Sequence, residues 1–206
     1  RDFSERHPEV NLRMRQGTGP QVAGWLLAGE ADLGVATEAL ADYPDLATLP
    51  CYQWTHLILV PPGHALIDAA ADGAPLDVRL LAQCPIVTYE AGYTGRSRID
   101  EGFARHGLSA NVVLEAMDAD VIKTYVELGM GVGIIASMAF DEARDSALHA
   151  IDARHLFASN MTRVAVRRGA FLRGYVYGFI ETFAAPLTRA VVERAMAAEP
   201  GSDFAL

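Results

Sequence analysis

Four short stretches of this 206-residue chain gather hydroxyl, amide, carboxylate and small residues: QGTG (16–19), ATE (36–38), VTYEAGYTG (87–95) and AMDAD (116–120). Within them Gln16, Gly17, Thr18, Thr37, Glu38, Thr88, Glu90, Thr94, Gly95, Met117 and Asp118 are the candidate ligand-binding residues. Each stretch sits at the end of a strand-like run and leads to a turn or a helix start. In an open parallel sheet, ligands bind outside the carboxyl ends of the strands. Helix N-termini add unpaired N–H donors and partial positive charge, which suit a small anion. Thr88, Thr94, Ser97 and Arg96 fit such a ligand, whereas Glu90 opposes it. Singly, each threonine is as well explained by local backbone bonding; together the four stretches point to a ligand cleft.

Other chemistries find no support. None of the histidines, His7, His56, His64, His106, His149 and His155, stands four residues from another with an acid between, so no zinc site is expected. GMGVG (129–133) closes a helix and opens a strand, the reverse of a dinucleotide loop. GYTGRS lacks the Gly-Lys-Ser/Thr ending of a P-loop, and no G-x-S-x-G elbow occurs. Asp118 and Asp120 read as a helix cap and a dipole partner rather than a catalytic pair. No catalytic residue, cofactor or metal is assigned.

The net charge of −9 and pI near 5.1 argue against phosphate-driven nucleic-acid binding, which needs clustered Lys and Arg. Arg163, Arg167, Arg168 and Arg173 read as ordinary surface charges. No run approaches the roughly 18 apolar residues of a membrane span. Cys51 and Cys84, far apart and beside apolar runs, fit buried reduced thiols and a cytoplasmic location. RDFSERHPEV reads as final helix turns and a turn at Pro8, so the native protein is expected to extend toward its N-terminus.

The elements that must position these residues alternate. NLRMRQG (11–17) has the period of a half-buried strand, and a helix follows at PQVAGWLLAGE with Pro20 in its first turn and Thr18 able to cap it. DLGVAT (32–37) reads as a buried strand, giving strand–helix–strand and hence a parallel pair with a right-handed crossover. HLILV, PIVTY, NVVLEA, GVGIIA and TRVAVRR read as further strands. Helices are expected at RSRIDEGFARHG, at DADVIKTYVELG with Asp118 as N-cap and Gly129 as stop, and near the C-terminus. FLRGYVYGFIETF would put Phe171, Leu172, Tyr175, Val176, Phe179, Ile180 and Phe183 on one core face. The pattern is α/β with mostly parallel sheets, in two lobes. Lobe I is expected at 1–56 and 165–206, lobe II at 57–164. The strand near 56–60 would carry the chain out and that near 163–167 would carry it back.

Several stretches resemble a known family. LLAGEADLGVA and LILVPPGHAL are similar to the effector domains of LysR-type regulators. ATEALADYPDLATLPCYQW, TYEAGYTGRS, DADVIKTYVELGMGVGIIASMA and FLRGYVYGFIETF resemble the CysB branch, the regulators of sulfur assimilation that include Cbl and the sulfonate regulator SsuR. The likeness covers residues 3–196. It implies two Rossmann-like lobes joined by two crossover strands, the type 2 periplasmic-binding-protein-like fold. It also implies a winged helix-turn-helix N-terminal to this chain that alone contacts DNA, and homodimers or homotetramers. The effectors it implies are sulfate, thiosulfate, O-acetylserine, N-acetylserine or adenosine phosphosulfate. The family's Thr-x-Thr-Gln cluster belongs to a strand before Arg1; a second pocket threonine corresponds to Thr37; a third falls where this chain has Glu90. Glu90 is therefore expected either to shift preference from a bare dianion toward a ligand with a donor group or to point to solvent. The rivals to a sensing domain are a periplasmic-type small-anion binding protein and an α/β enzyme using Glu90 or Asp118 as base.

Overall fold

The computed structural model describes residues 2–93 and 95–199. In chain order they form α1 (Asp2–Arg6), α2 (Gly19–Ala28), β1 (Gly34–Ala36), β2 (Leu46–Trp54), β3 (His56–Val60), α3 (Ala65–Ala69), α4 (Val78–Leu81), β4 (Ile86–Tyr89), α5 (Arg96–Ala104), β5 (Val112–Ala116), α6 (Ala119–Glu127), β6 (Val132–Ala136), β7 (His149–Asp152), β8 (Asn160–Arg167), α7 (Gly174–Phe183) and α8 (Arg189–Ala197). Two compact units result. Unit one takes the chain up to Tyr52 and from Met161 onward; unit two is Gln53–Asn160.

Unit one is built on a sheet of order β1-β8-β2, with β1 antiparallel to β8 and Gly34 opposite Ala165. Val22, Ala23 and Leu26 of α2 bury against Leu40, Leu46 and Ala165. On the other apolar cluster, Val176, Tyr177 and Ile180 of α7 and Val192 of α8 cover Leu49, Val164 and Val166. Gly34 is required for the first contact: a Cβ there would stand 2.7 Å from Val22 and 2.8 Å from Leu26.

Unit two holds a sheet of order β5-β4-β6-β3-β7. β4 runs parallel to β5 and β6, while β3 is antiparallel to β6 and β7. One face is covered by Leu81, Ile99, Phe103 and Phe157 around Ile58, Ile86 and Ile134; the other by Ile122 and Val126 of α6 around Leu59, Val87 and Ile135. Strands sandwiched in this way read as near-continuous apolar runs, as HLILV and VGIIA do.

Five local expectations are corrected. Residues 11–17 form no strand: they lack regular secondary structure, with Leu12 at 44% and Met14 at 87% exposure, because no described strand lies alongside to take their backbone bonds. The parallel pair expected from them and β1 is replaced by the antiparallel β1–β8 pair. The sheets are mixed rather than mostly parallel, since β3 enters between β6 and β7 in the opposite sense. Phe171 is 91% exposed, because α7 begins only at Gly174 and leaves it off the helical face. The outgoing strand is β2, within which the units divide, rather than 56–60.

Candidate functional site

In unit two the parallel register sets Tyr89 opposite Ala116, so the chain leaves β4 and β5 side by side. The Glu90 amide extends the ladder to the Ala116 carbonyl at 3.0 Å. Glu90 is exposed, its carbonyl accepts from the Tyr93 amide at 3.1 Å, and the Tyr93 hydroxyl meets Met117 Sδ at 3.6 Å. Glu90, Met117 and Asp118 are thus brought to one sheet end. Asp118 caps α6, its carboxylate accepting from the Asp120 and Val121 amides at 3.0 and 3.1 Å. Gly95, at φ 71°, is the N-cap of α5.

Other expected members are committed elsewhere. Thr88 is wholly buried and its hydroxyl donates to the Ile134 carbonyl at 2.9 Å, so it pins β4 to β6. Arg96, expected as a counter-cation for an anion, is a clamp. It reaches the Tyr89 carbonyl at 2.7 Å, Glu115 at 2.5 Å and Asp100 at 3.0 Å. Burial works against its charge, but Glu115 and Asp100 outweigh this and raise its pKa. Thr94 lies outside the described residues.

In unit one, Thr18 completes a capping box with Gln21: the Gln21 amide donates to Thr18 Oγ1 and the Thr18 amide to Gln21 Oε1. Gly17 lies against Trp25, where a Cβ would come within 2.5 Å of the indole. Gln16 is exposed on the irregular segment before α2. Thr37 is half-buried at the head of a 3-10 turn and makes no capping bond, which leaves its hydroxyl available. Of Glu38 only the backbone is described.

Sequence reasoning missed two features of unit two. The first is a cavity of about 370 Å³ at the start of α6, lined by Asp118, Asp120, Lys123, Met138, Asp141 and Arg144. Lys123, its side chain 9% exposed, binds Asp120 at 2.9 Å, Asp145 at 3.1 Å and the Ala139 carbonyl at 3.1 Å. The hydrogen bond and charge of Lys123 hold the Asp120 carboxyl below its ordinary value, so it stays ionised and is a poor base. Burial opposes the charge of Asp145, yet the Asp141 amide and Lys123 prevail and lower its pKa as well. The second feature is Asn160. It is 1% exposed, and among the described residues neither amide atom has a hydrogen-bond partner, a situation that costs about 1–3 kcal/mol per orphaned group. Its place in FASNMTRVAV carries no periodic or motif signal; only the tertiary packing reveals it. Among the described residues no three His, Cys, Asp or Glu side chains group to hold a metal ion, and no helix is long and apolar enough to cross a membrane.

Two mixed α/β units with small, polar loops at the strand ends define an effector-binding domain by fold. Residues 1–187 match the LysR substrate binding domain, and the chain belongs to that family. It is 50% identical over 192 residues to the HTH-type transcriptional regulator SsuR of Burkholderia cenocepacia, covering 93% of this chain and 61% of that protein. It is 47% identical over 201 residues to the regulator CysB of the same organism, covering 98% and 63%. The crystal structure of the cofactor-binding domain of the Cbl transcriptional regulator superposes with a TM-score of 0.85 at 42% identity, covering 96% of this chain and 85% of that one. The chain spans about three fifths of the length of these curated relatives.

Proposed function

We propose that this chain is the effector-sensing domain of a LysR-type transcriptional regulator of the CysB, Cbl and SsuR group, controlling genes of sulfur, cysteine or sulfonate metabolism. The observation that carries the reading is the likeness, along nearly the whole chain, to SsuR and to the Cbl cofactor-binding domain. The domain senses and does not turn its ligand over: Asp118 is spent on a helix cap and Asp120 on an ion pair. DNA would be held by an N-terminal helix-turn-helix outside this sequence, in a cytoplasmic homodimer or homotetramer. The effector is a small sulfur-pathway molecule: sulfate, thiosulfate, O-acetylserine, N-acetylserine or adenosine phosphosulfate.

The candidate ligand residues carried forward are Thr37, Gln16 and Gly17 within unit one, and Glu90, Gly95, Met117 and Asp118 within unit two. Thr18 and Thr88 serve as cap and sheet pin, for the reasons of geometry given above. Glu90 stands exposed, and Arg96, already engaged by Glu115 and Asp100, is not free to offset its charge toward a dianion. This favours an effector with a donor group over sulfate. Thermal unfolding with each candidate, and with phosphate as control, tests the reading. A ligand at one hundred times its dissociation constant adds about 2.7 kcal/mol. A shift with one sulfur-pathway ligand and none with phosphate is expected; no shift with any of them would overturn the ligand class.

A further inference from the structure

Asn160 opens β8, and its buried amide has no hydrogen-bond partner among the described residues. Such an amide has two donors on Nδ2 and an acceptor oxygen with two lone pairs. Buried polar groups in native proteins are nearly always bonded, and an exception calls for a cause. Two other buried polar side chains of unit two conform: Thr88 is bonded to Ile134, and Lys123 to Asp145 and Ala139.

The amide lies against the start of α5. A Cβ on Gly95 would stand 2.6 Å from Asn160 Oδ1, 2.7 Å from Nδ2 and 2.8 Å from Cγ. Near-equal distances to all three atoms mean that the amide plane faces Gly95, whose hydrogen leaves room no side chain would. The positive end of a nine-residue helix and an unspent donor–acceptor pair therefore meet at one place. The nearby guanidinium of Arg96 is already engaged.

We propose that Asn160 is a specificity-determining residue for the effector, a proposal that rests on the sensing reading above. Its amide pairs with an uncharged group that both accepts and donates, such as an acylamino or carboxamide group, ahead of a fully ionised oxyanion. A dianion would accept from Nδ2 but set its oxygen against Oδ1. An acylamino group meets both, its carbonyl on Nδ2 and its N–H on Oδ1. The pairing requires the amide, 1% exposed, to be uncovered as the effector binds.

The test uses the chain itself with N-acetyl-L-serine, O-acetyl-L-serine and sulfate as probes, by calorimetric titration and thermal unfolding. Asn160→Leu removes the amide at similar size, and Asn160→Asp keeps the shape but removes the donors. Both are expected to weaken N-acetylserine about tenfold or more, the loss of a good hydrogen-bonding pair, with sulfate weakened less. The ligand-free Asn160→Leu chain is expected to unfold at the parent temperature or above it. Affinity for N-acetylserine unchanged within twofold, or every probe weakened alike, overturns the proposal. If the parent binds none of the probes, the sensing reading fails on its own account. The unfolding arm then decides the amide: a lower unfolding temperature in Asn160→Leu means it was already satisfied, by water, and overturns the proposal.

Discussion

Replacing Lys123 by Met should be among the most damaging single changes in unit two. The Lys123 and Asp145 side chains are 9% and 10% exposed, and Nζ lies 3.1 Å from Oδ1. Removing the cation leaves a buried carboxylate with the Asp141 amide, at 2.9 Å, as its remaining bonded partner. Breaking a buried pair from one side costs about 3–5 kcal/mol. At a urea slope of about 2 kcal/mol/M, a loss of about 3 kcal/mol lowers the midpoint by about 1.5 M. The double variant Lys123→Met/Asp145→Leu should recover most of this, because an apolar pair has no charge to strand. The assay is urea unfolding followed by Trp54, buried in unit two, in a Trp25→Phe background. pH adds a second axis. The lowered pKa of Asp145 contributes stability that is present above the ordinary carboxylate value and lost as pH falls through the folded value. In Lys123→Met that loss should begin at higher pH. A single-variant cost below about 1 kcal/mol, or a double variant as unstable as the sum of the singles, would refute the reasoning.

Three further outcomes follow from named contacts. Burial first, then the charges of Asp118 and Asp120, push the Tyr89 hydroxyl up to about 12 despite its bond from the Ala136 amide. A raised value means stability complete below the unfolded value near 10 and lost toward 12, about 2–3 kcal/mol, and Tyr89→Phe should abolish that alkaline loss in a pH series of unfolding midpoints. Gly131→Ala would set a Cβ 2.5 Å from the Pro85 carbonyl and should cost about 1–3 kcal/mol, whereas Gly24→Ala, inside α2 with nothing within 4 Å, should add about 0.5–1 kcal/mol; parallel thermal melts compare the two. Glu90→Thr should tighten sulfate several-fold, since a charge about 4 Å away is worth about 1 kcal/mol in water; an unchanged dissociation constant by titration would show that Glu90 does not bear on the ligand.

Much of this fold is legible where one local signal agrees with packing. DADVIKTYVELG carries its cap, its apolar face and its stop, and the structure uses Asp118, Ile122 and Gly129 in those roles. The runs HLILV and VGIIA announce strands covered on both faces. The failures share a cause: a period states which face is apolar but not what covers it. NLRMRQG alternates as a strand should, yet Leu12 and Met14 stand exposed because no described neighbour pairs with it. β2 was not foreseen because Pro50 interrupts its pattern; at the edge of a β1-β8-β2 sheet a missing N–H is tolerated. Strand direction is not legible in the local pattern because β3 inserts beside β6 from a distant part of the chain. At the site, composition located the loops but not the allocation of their bonds. Arg96 looks like an anion ligand until Glu115 and Asp100 are seen to hold it. Asn160 looks like a loop residue until it is found buried against Gly95.

The chain is proposed to bind a small sulfur-pathway effector and to return it unchanged. Equilibrium dialysis against sulfate, thiosulfate, O-acetylserine, N-acetylserine and adenosine phosphosulfate, with mass analysis of the recovered ligand, tests it directly. Saturable binding of one of these, tightest for a ligand bearing a donor group and with the ligand recovered intact, is the predicted result. No saturable binding of any of them, or consumption of the ligand by the protein, would contradict the account.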